Sequence, residues 1–303
     1  MLNYKIYSCY LLILAIIALT CNNAVASKLV SPPRHKQLKN IVLIAGTKSH
    51  DPGEHEYVKT VKLIKVMLDR SNVKGIKTRF YLNGWPPADS LLNKADLILF
   101  VTDGADGINF KDSPFLTTDR MAVLQQQVDR GCGIALLHFS TFADYENGQK
   151  LLEWAGGYYD WQDSTGDKRH YSDLKVANAQ VTLASPKHPI SNGVKSFNIK
   201  DEFYYNMRFM AERTYIIPVL NVPSLGGSEP LGNVVAWAYK RKKGGRAFCA
   251  TMAHYYSNWH NENFRKVLLN GLIWAAGIKV PTNGMSSVFY TDEEVAKFLH
   301  TAD

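Results

Sequence analysis

Between residues 39 and 138 the sequence repeats one pattern: a short unbroken apolar run, a polar loop, an amphipathic stretch, then another apolar run. The first run is Asn40-Ile41-Val42-Leu43-Ile44-Ala45, closed by Gly46. A strand buried on both faces needs such a run, and strands of that kind occur where helices cover both sides of a parallel sheet. Residues 56–70 place Val61, Ile64, Met67 and Leu68 near one face and Lys59, Lys62, Lys65 and Asp69 largely on the other, which is helical spacing with a solvated basic side. The same logic predicts strands over 76–82, 95–102 and 133–138 and a helix over 118–130. Alternation of this kind predicts an α/β fold with an open parallel sheet covered by helices. Its ligand crevice lies beyond the carboxyl ends of the strands.

After residue 151 the rhythm changes to shorter strands over 180–183, 197–205 and 214–222. A hairpin of 234–239 and 246–250 follows around the basic tip Lys242-Lys243-Gly244-Gly245, then a helix over 262–276. No flexible linker interrupts this half, so one domain over 39–281 is expected, its second half elaborated with short antiparallel strands. With 46% hydrophobic and 20% charged residues in 303, collagen-like, low-complexity and wholly disordered chains are excluded.

Residues 1–26 carry Lys5, an apolar run over 10–19 and Ala24-Val25-Ala26 ahead of Ser27, the pattern of a cleaved secretory signal. Export to the periplasm or medium is therefore expected. Lipid attachment at Cys21 is the weaker reading, because Ala18-Leu19-Thr20 matches the usual Leu-small-small pattern poorly. The apolar run falls short of the about 20 residues a membrane span needs, so the protein is not expected to span a membrane. Residues 27–38 form an N-terminal arm and 282–303 a C-terminal tail.

Loss of the signal would leave Cys132 and Cys249, each in an apolar run, which is no disulfide framework; whether they pair stays open. The net charge of +8 falls mainly on a helix face, the arm and the hairpin tip. It does not form a stripe interleaved with aromatics, so nucleic acid is not an expected partner. No Gly-x-Gly-x-x-Gly, Walker-type loop, Gly-x-Ser-x-Gly or Cys-x-x-Cys occurs, which removes support for nucleotide-binding, α/β-hydrolase and zinc-ribbon readings.

Several residues carry potential chemistry. His138 ends a buried strand at the carboxyl edge of the sheet, where it is either an acid/base or metal-binding imidazole or a histidine satisfied by the backbone. His254 repeats that placement. The loop His50-Asp51-Pro52-Gly53-Glu54-His55-Glu56 holds two histidines and three carboxylates; the acids complement the start of the next helix, and the histidines are less easily explained. Asp201 and Glu202 are adjacent in a strand, so they point to opposite faces and at most one meets a site. A solvated acidic pair is the plainer expectation for them.

In order along the chain these pieces are Ser49-His50-Asp51-Pro52-Gly53-Glu54-His55-Glu56-Tyr57, Asn83-Gly84-Trp85-Pro86, Leu136-Leu137-His138, Trp154-Ala155-Gly156-Gly157-Tyr158, His188-Pro189-Ile190, Asp201-Glu202-Phe203-Tyr204-Tyr205-Asn206-Met207, and Asn258-Trp259 leading into Phe264-Arg265. Together they resemble the ThuA-like (trehalose utilisation) family of the class I glutamine amidotransferase-like superfamily, over roughly residues 39–281. The resemblance implies a flavodoxin-like open parallel sheet with helices on both faces. It puts His138 where amidotransferases carry their nucleophilic cysteine. An imidazole cannot form the glutamyl thioester and Cys132 lies at the other end of the strand, so glutaminase activity is not implied.

What the resemblance implies instead is an exported carbohydrate-processing enzyme acting on a 3-keto-glucoside or related oxidised sugar. The ketone acidifies the neighbouring C–H bond, so acid/base or metal-assisted isomerisation, elimination or hydrolysis would follow. On this reading His138 is the base and Glu202 its partner or an acid. His50, His55 and His254 hold a divalent metal, zinc or manganese, and Tyr158, Trp161, Tyr204 and Trp259 stack on the sugar. No nucleotide cofactor is expected. The alternatives are a non-catalytic carbohydrate-binding protein on the same fold, and metal-dependent hydrolysis of an unmodified glycoside.

Overall fold

The computed structural model describes residues 38–162 and 171–300. The expected secretory signal (1–26), the arm through residue 37 and the chain end at 301–303 lie outside the described residues. The first half follows the expected alternation: β1 (Lys39–Ala45), α1 (Tyr57–Asp69), β2 (Ile76–Tyr81), β3 (Leu97–Val101), α2 (Thr118–Asp129) and β4 (Gly133–Leu137). Then come β5 (Phe142–Ala143), α3 (Tyr145–Ala155), β6 (Gly157–Asp160), β7 (Asp173–Leu183), β8 (Phe197–Tyr205), β9 (Arg208–Phe209) and β10 (Ile216–Asn221). The chain continues through β11 (Val234–Lys240), β12 (Arg246–Ala250), α4 (Glu262–Ala275) and α5 (Asp292–His300).

One nine-stranded sheet runs in the order β2-β1-β3-β4-β12-β11-β10-β7-β8. Its first five strands are parallel, in the 2-1-3-4-5 order of a flavodoxin-like sheet, with β12 from the second half taking the fifth place. The other four continue the sheet in antiparallel pairing. The elaborated half thus extends the same sheet. A small sheet of β5, β6 and β9 stands beside it.

Alternate residues of the parallel strands enter two separate cores, which is why their runs are apolar throughout. Ile41, Leu43, Leu97, Leu99, Ala135 and Leu137 pack with Val61, Ile64 and Met67 of α1 and Val267, Leu268 and Leu272 of α4. Val42, Ile44, Ile98, Phe100, Ile134 and Leu136 face Leu124 and Val128 of α2 and Leu151 and Trp154 of α3. Cys132 and Cys249 are free and buried, and burial pushes the Cys132 thiol up to about 12. Among the described residues no helix is long and apolar enough to cross a membrane.

Two departures from expectation have physical causes. β7 starts at Asp173, seven residues before the predicted strand, because backbone pairing with β8 from Asp173↔Tyr205 to Val181↔Phe197 holds a stretch that is largely exposed. Leu174 and Val176 alternate with polar neighbours there but stay exposed, and the apolar set shifts to Ala177, Ala179 and Val181 further along, so no one apolar face runs the length of the strand. Helix α3 was not expected; the Asp144 side chain caps it by accepting from the Asn147 N–H, and Gly156 ends it at φ 81°.

Close approach of helix to strand depends on Gly133 at the start of β4. A Cβ there would stand 2.4 Å from the carbonyl oxygen of Ala275 at the end of α4. Gly133→Ala should therefore push α4 off the sheet and destabilise the fold by about 1–3 kcal/mol, the usual scale of overpacking. Urea denaturation measures this, and an unchanged midpoint would contradict the packing.

Candidate metal centre

Beyond the carboxyl ends of β1, β4 and β12, four side chains from separate segments converge: His55, His138, Glu202 and His254. His55 lies in the loop after β1, His138 directly follows β4, Glu202 is in β8 and His254 follows β12. Nε2 of His55 is 2.9 Å from Nδ1 of His254 and 3.2 Å from Nε2 of His138. Nε2 of His138 is 3.3 Å from Nδ1 of His254, and Oε2 of Glu202 is 3.4 Å and 3.3 Å from those two nitrogens. A tetrahedral ion with ligand bonds of about 2.0–2.1 Å spaces its ligand atoms about 3.3 Å apart. Five of the six edges of this set lie close to that value, so the four residues could hold one such ion.

The partners behind each ring decide which atom faces inward. Nδ1 of His138 is 2.7 Å from the Thr251 carbonyl, which can only accept, so the ring proton is on Nδ1 and Nε2 carries a lone pair. The Tyr57 hydroxyl gives its proton to Asp103 at 2.6 Å and therefore accepts from Nδ1 of His55, also at 2.6 Å. Nε2 of His55 is again a lone pair. Nε2 of His254 faces Glu54 at 3.6 Å, which turns Nδ1 inward. Outer partners of this kind orient the rings of metal-binding histidines.

The backbone is bent to bring these atoms together. His55 and His138 have φ of 44° and 50°, and Ala253 has 101°, a left-handed region that non-glycine residues enter at a cost of about 1–3 kcal/mol each. Asp201 holds the last of these turns. Its carboxylate accepts from the N–H groups of Glu202, Ala253 and His254 at 2.9–3.1 Å. Thr251 Oγ1 adds a bond to the Tyr204 carbonyl at 3.0 Å, tying β8 to the loop after β12.

Electrostatics follow from burial and crowding. Burial, then the neighbouring His138, His50 and His254, drive the His55 pKa far below its ordinary value. Burial works against the charge on Glu202, but the neighbouring His138 and His254 outweigh it and hold the carboxyl well below the usual range. For His254 burial is likewise outweighed, by Glu202, Glu54 and Asp201, and its pKa rises. Burial, Asp103 and its hydrogen bond push the Tyr57 hydroxyl far up, keeping it a donor.

The structure places the residues expected at the site as follows. His138, expected as the base, has Nδ1 on the Thr251 carbonyl and Nε2 facing the other ligand atoms, with the side chain 3% exposed. Glu202 does face the site and Asp201 the opposite side, but they are no solvated pair, since Asp201 is fully buried. His50 stands outside the tetrahedral set. It belongs to a second grouping with His55 and Asp103, where the Ser49 and Tyr57 hydroxyls already bridge the acid to the two rings.

Three of the four aromatics expected to stack on a sugar have no free face. Tyr158 is buried with its hydroxyl on Asp160, and Trp259 is buried edge-on to Phe264. Tyr204 lies flat on His138 with ring centres 4.3 Å apart, its one hydroxyl proton shared between Nε2 of His138 at 2.7 Å and Glu202 at 3.1 Å. Trp161 is half-buried against Gly107 with its indole N–H unpartnered. Asp103, Tyr57 and the half-buried Tyr255 beside His254 were not anticipated. Asp103 follows a buried parallel strand as His138 does, and that placement could have marked it.

The ThuA family model, described as trehalose utilisation, matches residues 42–275. No curated protein matches the sequence. Among solved structures, a ThuA-like protein from Bacteroides uniformis is similar with a TM-score of 0.55 at 13% identity, covering 79% of this chain and 92% of its own. A ThuA-like protein from Parabacteroides merdae gives 0.55 at 14% identity, covering 84% and 98%. At these identities the likeness is one of fold.

The anchoring role of Asp201 gives a test independent of any ligand. Asp201→Asn replaces one accepting oxygen by an NH2 group facing backbone donors, and should cost about 1–3 kcal/mol. Chemical denaturation with an unaltered midpoint would contradict that role.

Proposed function

The chain belongs to the ThuA, or trehalose utilisation, family, and on that premise we propose that it is a carbohydrate-processing enzyme with a divalent ion held by His55, His138, Glu202 and His254. Its substrate is a 3-keto-glucoside or related oxidised sugar, and its reaction an isomerisation, elimination or hydrolysis. With residues 1–26 acting as a secretory signal, it meets that substrate outside the cytoplasm. The observation that carries the reading is the convergence of three imidazole nitrogens with a carboxylate on one point, two of the rings oriented by outer hydrogen bonds and the third by the facing Glu54 carboxylate. Acceptors packed this closely repel one another unless a cation or a proton lies between them.

A zinc or manganese ion bound there would act as a Lewis acid on a sugar oxygen. The protein's own groups do the rest. Thr251, Tyr57 and Glu54 hold the three rings in place, and the Tyr204 hydroxyl fixes Glu202. Trp161 and Tyr255, both half-buried and the latter beside His254, offer aromatic surface to a sugar ring. The glutaminase chemistry of the wider superfamily is not part of the proposal, because His138 offers no thiolate.

Purified protein incubated with 3-keto-glucosides, with zinc or manganese and after chelation, tests this by nuclear magnetic resonance of the products. The expected outcome is turnover that needs the ion and falls at least ~100-fold in His254→Ala, the scale on which disturbing a metal site lowers activity. Absence of turnover on every oxidised sugar, or full activity after chelation, would contradict it.

A further inference from the structure

We propose that His50 is the catalytic base of this site, taking a proton from the sugar carbon next to the ketone; the inference rests on the oxidised-sugar reading above. The four converging side chains are spent on one another, so a proton acceptor must come from elsewhere. His50 is placed to supply it. Its ring lies flat on His55 with centres 3.6 Å apart, and Phe110 is stacked at 5.2 Å. Phe139 closes one edge at 5.9 Å. The imidazole is thus clamped beside the centre without joining it.

Its tautomer is set by a relay. Ser49 Oγ donates to Oδ1 of Asp103 at 2.6 Å and has only one proton to give, so it accepts from Nδ1 of His50 at 2.8 Å. The lone pair is then on Nε2. That nitrogen makes no hydrogen bond among the described residues and is not a buried unpartnered atom, so it is open to solvent. The His50 side chain is 23% exposed, against 3% for His138 and 9% for His254. A histidine held only for packing has no need of an acid behind one nitrogen and an open lone pair on the other; a general base needs both.

The step moves one proton. Nε2 of His50 takes it from the carbon beside the ketone, and the electron pair of that C–H bond passes into the carbon–carbon double bond of an enolate as the carbonyl oxygen gains the charge. The Nδ1 proton of the resulting imidazolium stays on the Ser49–Asp103 relay. Returning the Nε2 proton to the former carbonyl carbon, while the hydroxyl proton on the deprotonated carbon passes to the former carbonyl oxygen, completes an isomerisation that moves the ketone by one carbon. Alternatively, the enolate expels a glycosidic oxygen, which takes that proton. Ser49 and Asp103 are positioning residues in this scheme.

The test compares wild type with His50→Ala and Ser49→Ala on a 3-keto-glucoside in deuterated water, recording turnover, deuterium entry beside the ketone, and bound zinc. His50→Ala should lose ~100-fold or more in both turnover and exchange, the usual scale for a general base, with zinc content and KM unchanged. Added imidazole should restore part of the exchange, which a packing role would not allow. Ser49→Ala should lower kcat by a smaller factor at unaltered KM. Exchange in His50→Ala within threefold of wild type overturns the proposal while leaving the oxidised-sugar reading intact. Loss of zinc along with activity also overturns it, by making His50 a ligand. A wild type with neither turnover nor exchange removes the reading and the proposal together.

Discussion

Three imidazole nitrogens and one carboxylate oxygen share a space that one metal ion would fill, with neighbouring atoms 2.9–3.4 Å apart. Lone pairs that close are unfavourable in a buried, low-dielectric setting, so the surrounding chain must hold them there. Each has its own restraint. The Thr251 carbonyl holds His138, Tyr57 and Asp103 hold His55, Glu54 faces the far side of His254, and Tyr204 holds Glu202. The left-handed backbone at His55, His138 and Ala253 is the strain accepted to reach this arrangement.

The sheet makes such convergence possible. Parallel β1, β3, β4 and β12 end side by side, so the loops that leave them supply His55, Asp103, His138 and His254 within reach of one another. Glu202 comes from β8, at the far end of the strand order. It reaches the site because Asp201, on the opposite face of the same strand, takes the N–H groups of Ala253 and His254. One residue of the acidic pair anchors the strand and its neighbour points into the centre.

Much of this was legible before any coordinates. The apolar runs ending at Gly46 and His138 read as strands buried on both faces, and the two cores supply those faces. The opposite orientation of Asp201 and Glu202 follows from the two-residue period of a strand. What could not be read depends on tertiary contact. The exposed half of β7 is held by backbone bonds to β8, and its apolar Leu174 and Val176 face solvent and no core. The exclusion of His50 from the tetrahedral set is decided by Ser49 and Asp103, 54 positions apart. Tyr158 and Trp259 look the same in sequence whether they face a sugar or a core, and here they face the core.

Metal content is the most direct measure of the central arrangement. Protein purified without chelator, incubated with a small excess of zinc and passed through gel filtration should retain one ion per chain by elemental analysis. Retention of no ion, with the fold intact by circular dichroism, would contradict the account.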